Sequence, residues 1–103
     1  MITALLFATS LLAAPATAPM PQSADEHLAA GLAAYKRLHF KEAEAQFEAA
    51  HQVAPESAAA LWYLGYAVYK EAEPKRPFHP EKRRAAELFA QAYELDPAFV
   101  PRW

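Results

Sequence analysis

Residues 23–55 read SADEHLAAGLAAYKRLHFKEAEAQFEAAHQVAP, and this stretch decides the fold. Ser23 followed by Glu26 forms a capping box, a pattern typical of the start of a helix. Three apolar residues then follow at helical spacing on one face: Leu28, Leu32 and Tyr35. A second run, with small and aromatic residues every three or four positions, begins at Phe40 and ends at Pro55. The stretch therefore predicts two helices joined by a short turn.

The second half of the chain predicts another pair of helices. A third run begins near Ser57 and ends at Pro74. Its apolar face consists of Leu61, Leu64, Val68 and Ala72. A fourth run begins at His79-Pro80-Glu81, where proline takes the first helical position, and it ends at Pro97. Its inward residues are Ala85, Leu88, Phe89 and Ala92. No segment predicts a strand, so we expect an all-α fold.

The two pairs repeat one another. The only two glycines of the 103 residues, Gly31 and Gly65, are 34 positions apart. Two residues of the second run recur in the fourth at an offset of 42 positions: Ala43 and Phe47 reappear as Ala85 and Phe89. The second pair therefore has eight additional residues between its helices. We expect each glycine to permit close approach of the paired helices, with the alanine opposite and the phenylalanine filling the adjoining space.

A helix-turn-helix unit with this period and pattern resembles the tetratricopeptide repeat (TPR) family. The resemblance covers Ala24 to Pro97, and Leu64-Gly65 matches the Leu-Gly pair of the family. It implies an α-α solenoid of two units, the second with an eight-residue insertion between its helices. Four positions depart from the usual Trp and Tyr of the family: His27, Leu61, Ala34 and Val68.

We divide the chain into a signal peptide (1–16), a linker (17–22), a two-unit domain (23–97) and a C-terminal stub (98–103). The uncharged apolar run at the start is too short to span a bilayer, and small residues follow it. An uncleaved interfacial anchor or a misassigned start stays open, because no Lys or Arg precedes the run. We therefore expect an exported protein, periplasmic or secreted, with no membrane span in its mature part.

The resemblance also implies a concave groove lined by the first helix of each unit. Its groove positions are Leu28, Leu32, Tyr35, Lys36, Trp62, Tyr66, Tyr69 and Lys70. The sequence alone supports part of this groove, because Trp62, Tyr66 and Tyr69 recur at i, i+4 and i+7 and therefore share one face of the third helix. This aromatic stripe is rotated away from the Leu61 face, so the third helix is apolar on two sides. Such a helix buries both sides or presents one of them to a ligand.

We expect the groove to bind a protein or peptide partner. Tyr and Trp are favoured anchors because each combines a broad apolar surface with a polar group. Lys36 and Lys70 would orient acidic groups of the partner. Two alternatives are open: the aromatic stripe packs inside its own chain, or it joins copies in a homo-oligomer or a larger envelope assembly. Because about three repeats are normally needed for independent stability, we also expect self-association or folding with a partner.

The insertion is a second candidate surface. Residues 73–84 carry five basic and two acidic side chains, and three prolines stiffen them. The residues of this basic loop are Lys75, Arg76, Phe78, Lys82, Arg83 and Arg84. Such a loop could hold an acidic partner, a phosphate or an anionic lipid headgroup. The alternative that we favour is a solvated turn with Phe78 tucked over the helix pair.

Composition excludes several other classes of protein. The absence of cysteine excludes a disulfide scaffold, a thiol nucleophile and a Cys-ligated zinc site. A formal net charge of -2 provides no global basic field for nucleic acid. His27, His39 and His51 lie twelve positions apart, which is not a metal-ligand spacing within one helix. Glu44 and Glu48 share a helix face that we expect to be solvated. We expect neither an enzyme nor a cofactor or metal.

The C-terminal stub offers two interpretations. Pro101 disfavours a helix there. We favour a stub in which Phe99 and Trp103 cover the exposed end of the last helix. The alternative is a tail that docks on a partner.

Overall fold

The computed structural model describes residues 22–103, which form four α-helices and no strand. These are α1 (Ala24–Lys36), α2 (Phe40–Val53), α3 (Ala58–Ala72) and α4 (Pro80–Leu95). The predicted all-α class is confirmed. The signal peptide expected at 1–16, and all but the last residue of the linker expected at 17–22, lie outside the described residues.

Three helices begin at side chains that accept a hydrogen bond from the first turn. The capping box is confirmed, because Ser23 Oγ accepts from the Glu26 N–H at 3.1 Å and Glu26 Oε1 accepts from the Ser23 N–H at 2.8 Å. Ser57 Oγ caps α3 at 3.1 Å, as its position predicts. His79 Nδ1 accepts from the Glu81 N–H at the start of α4. These bonds satisfy backbone donors that have no partner inside the helix.

Three of the four helices end shortly before a proline. The helices α2, α3 and α4 each end two residues before a proline, at Val53, Ala72 and Leu95. A proline ring disfavours helical geometry in the residue before it, and Ala54 and Asp96 are non-helical as this rule predicts. Glu73 is the exception, because it keeps helical angles at the end of α3. The first helix ends differently, because Leu38 adopts a left-handed φ of 64° and its N–H donates to the Tyr35 carbonyl at 2.9 Å.

Each helix packs mainly against its neighbour in the chain. Within the described residues α1 packs on α2, α2 on α3 and α3 on α4, and α1 touches α3 only slightly. This order places α3 in the middle. It supplies most of the buried side chains, including Leu61, Tyr63, Leu64 and Val68. The high share of apolar residues in α3 follows from this position, because α2 and α4 cover it from different sides.

The predicted close approach at both glycines is confirmed. A Cβ at Gly31 would overlap the ring of Phe47, with Cδ1 only 2.6 Å away. A Cβ at Gly65 would lie 2.8 Å from Cε1 of Phe89. The ring of Phe47 is fully buried, whereas Phe89 is only half-buried. The same pair of residue types therefore sets the α1–α2 distance and the α3–α4 distance.

Candidate functional site

The three residues of the aromatic stripe on α3 differ in burial. Trp62 and Tyr66 are half-buried, and their rings lie 5.0 Å and 4.9 Å from the ring of Phe89 on α4. Tyr69 lies one turn further along α3 and is exposed. Two residues of the stripe therefore pack partly within the chain, while the third reaches the surface.

An aromatic face lies between α1 and α3, and it is made by Tyr35, Tyr63 and Tyr66. The indole of Trp103 occupies this face. It stacks on Tyr35 with ring centres 4.3 Å apart and an interplanar angle of 20°. Tyr63 and Tyr66 meet the same indole edge to face, at 4.9 Å and 5.4 Å. Offset and edge-on arrangements are the ones that the charge distribution of aromatic rings favours.

The C-terminal segment, residues 99–103, lies against α3 without helical or strand structure. Its backbone is held at Arg102, where Tyr63 Oη accepts from the N–H at 2.7 Å and donates to the carbonyl at 2.9 Å. The ring of Phe99 meets those of Trp62 and Tyr63 at 6.4 Å and 5.9 Å. One tyrosine of α3 thus contacts both ends of the segment and pairs with its main chain.

This placement differs from the one expected of the stub. We expected Phe99 and Trp103 to cover the end of the last helix, and instead they lie on α3 and reach α1. The physical reason is that the aromatic face offers apolar area together with the Tyr63 hydroxyl, which satisfies main-chain groups that would otherwise need water. We identified Trp103 from the sequence, but we did not identify Tyr63, which follows Trp62 in the chain.

The other predicted groove residues have unequal surroundings. Leu28 and Leu32 are half-buried against the core, and Lys36 is exposed. Lys70 Nζ pairs with Glu73 at 3.2 Å and lies 5.8 Å above the ring of Phe40. The hydrogen bond to Glu73 raises the pKa of Lys70, and burial raises the pKa of Tyr35. The chain itself therefore already engages one of the two lysines that we expected to orient a partner.

The basic loop presents Phe78 to solvent. This ring is 87% exposed, and its residue has a left-handed φ of 67°. The expectation that Phe78 is tucked over the helix pair is therefore wrong, because the ring lies almost entirely in solvent. Lys75 and Arg76 beside it are exposed, and so is Arg83. Lys82 Nζ donates to the Lys75 carbonyl at 2.7 Å, which ties the loop to the start of α4.

Arg84 does not belong to the exposed loop surface. Its guanidinium pairs with Glu44 at 3.0 Å and Glu48 at 3.5 Å on α2, and with Glu81 at 3.7 Å on its own helix. This ion pair bridges two helices that have no direct packing contact in the described part of the chain. It also gives Glu44 and Glu48 a role on the face that we expected to be solvated.

Comparison of the chain with models of protein families, with curated proteins and with solved structures finds no match. Two further observations concern residues 22–103. None of their helices has both the length and the apolar character needed to cross a bilayer. Nor do three or more of their His, Asp and Glu side chains converge where they could hold a metal ion.

Proposed function

We propose that the chain is a non-enzymatic binding module of two TPR-type units, exported from the cell, that holds a peptide or protein partner on the face between α1 and α3. Two features support the repeat assignment. The same Gly–Phe contact recurs in both helix pairs, and each helix packs on the next in chain order.

One observation carries the binding proposal. A peptide segment without regular structure, residues 99–103, lies against α3 with its main chain hydrogen-bonded and its aromatic rings against those of the helices. A surface that binds one such segment has the chemistry to bind another. Aromatic rings supply apolar burial there, and the Tyr63 hydroxyl supplies a partner for main-chain groups.

Self-association through the aromatic stripe has less support. Within a single chain Trp62 and Tyr66 already contact Phe89, and residues 99–103 cover them further. Only Tyr69 of the stripe is exposed. A second copy and a peptide partner would both have to displace the segment, but only a peptide could reproduce its main-chain and ring contacts.

The test is a selection of ligands followed by a paired substitution. Random peptides displayed on phage are selected against the full chain, and the enriched peptides are synthesised for binding measurements. We expect Tyr66→Leu to weaken their binding about tenfold or more, because it removes an aromatic anchor while it keeps apolar volume. The matched control is Tyr93→Leu, a tyrosine exposed on α4, which should leave the affinity unchanged.

Two results would contradict this function. Either no peptide is enriched, or the enriched peptides bind the Tyr66→Leu and Tyr93→Leu variants equally well. Far-UV circular dichroism and the thermal midpoint of each variant establish that the helices are intact. A loss of affinity then reports on the surface and not on the fold.

The basic loop supports a second candidate function, docking on an anionic surface. The observation that favours it is Phe78, an exposed ring flanked by Lys75 and Arg76. A ring among cations suits the interface of a bilayer that contains acidic lipids. Vesicles with acidic lipid should bind the chain at low salt, and a Lys75→Gln, Arg76→Gln, Phe78→Ser variant should lose that binding. Equal binding to neutral vesicles would exclude it.

A further inference from the structure

The C-terminal segment occupies the place where the proposed partner would bind. We propose that residues 99–103 act as an internal ligand, and that the partner which displaces them is an extended peptide whose aromatic side chain enters the site of the Trp103 indole. This inference rests on the proposed function and specifies its ligand class.

The site of the indole is aromatic on several sides. Tyr35 lies flat against one face of Trp103, while Tyr63 and Tyr66 approach it edge to face. Three rings from two helices thus contact one planar side chain. An aliphatic side chain could fill part of this space but would lose the ring-to-ring geometry. The ligand class that matches the site is therefore a peptide with Trp, or another large aromatic residue, at this position.

The main chain of the ligand is restricted as well. Tyr63 Oη pairs with both the N–H and the carbonyl of the residue before the indole, Arg102. These two bonds use no side-chain atom of Arg102, so most residues fit there, but proline does not because it has no N–H. Phe99 lies against Trp62 and Tyr63. The partner should therefore carry a second apolar side chain four residues before its aromatic anchor.

The segment is held loosely enough to be exchanged. Its two hydrogen bonds to α3 both go to one hydroxyl, and Trp103 remains 45% exposed while it stacks. Val100 is 70% exposed and adds little contact. No helix must melt to release the segment, because its residues lie beyond the end of α4. A competing peptide then has only these few contacts to replace.

The experiment titrates a fluorescently labelled, capped peptide with the sequence of residues 98–103 into the full chain. We expect the Trp103→Ala variant to bind it about tenfold or more tightly than the unmodified chain does, because the site is vacated in the variant. The same peptide with Ala in place of Trp should bind the variant at least about tenfold more weakly. Val100→Ala is the matched control and should bind the labelled peptide as the unmodified chain does.

Arg102→Pro is a second variant, used if Trp103→Ala lowers helicity. It removes the N–H that donates to Tyr63 Oη and restricts the backbone at 101–102, outside the helices, and it should also raise the affinity for the peptide. Equal affinity of the unmodified chain and the vacated variants, or no binding to helical variants, overturns the proposal. A dimer by light scattering that dissociates on Trp103→Ala also overturns it, because the segment then belongs to a second copy.

The two proposals can fail separately. If phage-selected peptides lose affinity on Tyr66→Leu while the capped segment binds no variant, the proposed function stands and the internal ligand falls. If neither kind of peptide binds, both fall.

Discussion

At the scale of single residues, Gly31 and Gly65 determine how closely paired helices can approach. A glycine inside a helix normally destabilises it by about 1 kcal/mol relative to alanine, so its position needs a packing reason. That reason is a phenylalanine ring lying where a Cβ would be, Phe47 against Gly31 and Phe89 against Gly65. The ring of Phe47 is fully buried, whereas the ring of Phe89 is only half-buried.

We predict that Gly31→Ala and Gly65→Ala have different effects. The first should lower the free energy of unfolding by about 1–3 kcal/mol, because Phe47 cannot move away from the new methyl group. Gly65→Ala should lower the free energy of unfolding by less, because Phe89 can shift and alanine has a higher helix propensity than glycine. Urea unfolding of both variants measures the difference. The double variant Gly31→Ala, Phe47→Leu should recover most of the loss, and a Gly31→Ala variant more stable than the unmodified chain would contradict the packing account.

A second prediction at this scale concerns Glu71 on α3. Burial raises the pKa of its carboxyl group, and the nearby carboxylate of Glu44 raises it further. The folded state therefore holds this proton more tightly than the unfolded chain does. Stability contributed by Glu71 is present at low pH and is lost as the pH rises from the ordinary carboxyl range through the raised pKa.

The variant Glu71→Gln should accordingly have a higher thermal midpoint than the unmodified chain at pH 7. The difference should shrink toward about pH 4, where the carboxyl group is protonated. Loss of the pair with Lys41 matters little, because that lysine is 91% exposed and 4.0 Å away. Glu87→Gln, on the exposed surface of α4, is the control. An unchanged or lower midpoint for Glu71→Gln at pH 7 would show that burial of this carboxylate is not costly.

At the scale of secondary-structure elements, α3 lies at the centre of the fold, and α4 is joined both to it and to α2. Packing accounts for the first connection, through Gly65 and Phe89. Charge accounts for the second, because Arg84 reaches Glu44 and Glu48 across the space between α4 and α2. The bridge is partly exposed, so its contribution is limited by solvent screening.

We predict that Arg84→Gln lowers the free energy of unfolding by about 0.5–1 kcal/mol at low salt. The effect should decrease as salt is added, because the ion pair is only partly buried. Arg83→Gln is the matched control, since it changes the neighbouring exposed residue of the same helix. Guanidinium would itself screen the charges, so urea is the denaturant. An equal loss in both variants would mean that net charge matters and the bridge does not.

The elements could be predicted from the sequence because their signals are local. A capping serine at 23 or 57 and a proline two residues past a helix end act within one turn, so they fix where helices begin and end. The contacts of Arg84 and Trp103 could not be predicted in this way. Apart from Arg84–Glu81, each of these contacts joins residues 36 or more positions apart, and the sequence carries no spacing rule for such pairs. The exposed position of Phe78 was not predicted for another reason, since a left-handed φ at a non-glycine residue has no clear sequence signal.

At the scale of the whole molecule, residues 22–103 form four helices, each packed mainly on its neighbour in the chain, with one aromatic face covered by residues 99–103. Tyr93 and Leu95 on α4 are exposed, so this side of α4 remains uncovered. The expected self-association therefore stays a prediction, to be read from light scattering. The proposed function depends instead on the aromatic face, which is made by Tyr35, Tyr63 and Tyr66.

The most direct measurement of that function is a crystal structure of the chain with a phage-selected peptide bound. The account predicts an extended peptide across α3, with an aromatic side chain between Tyr35 and Tyr66 and a main-chain pair to Tyr63 Oη. Residues 99–103 should be displaced from that face. A peptide bound to the outer side of α2 or to the basic loop, with Trp103 still stacked on Tyr35, would contradict the account.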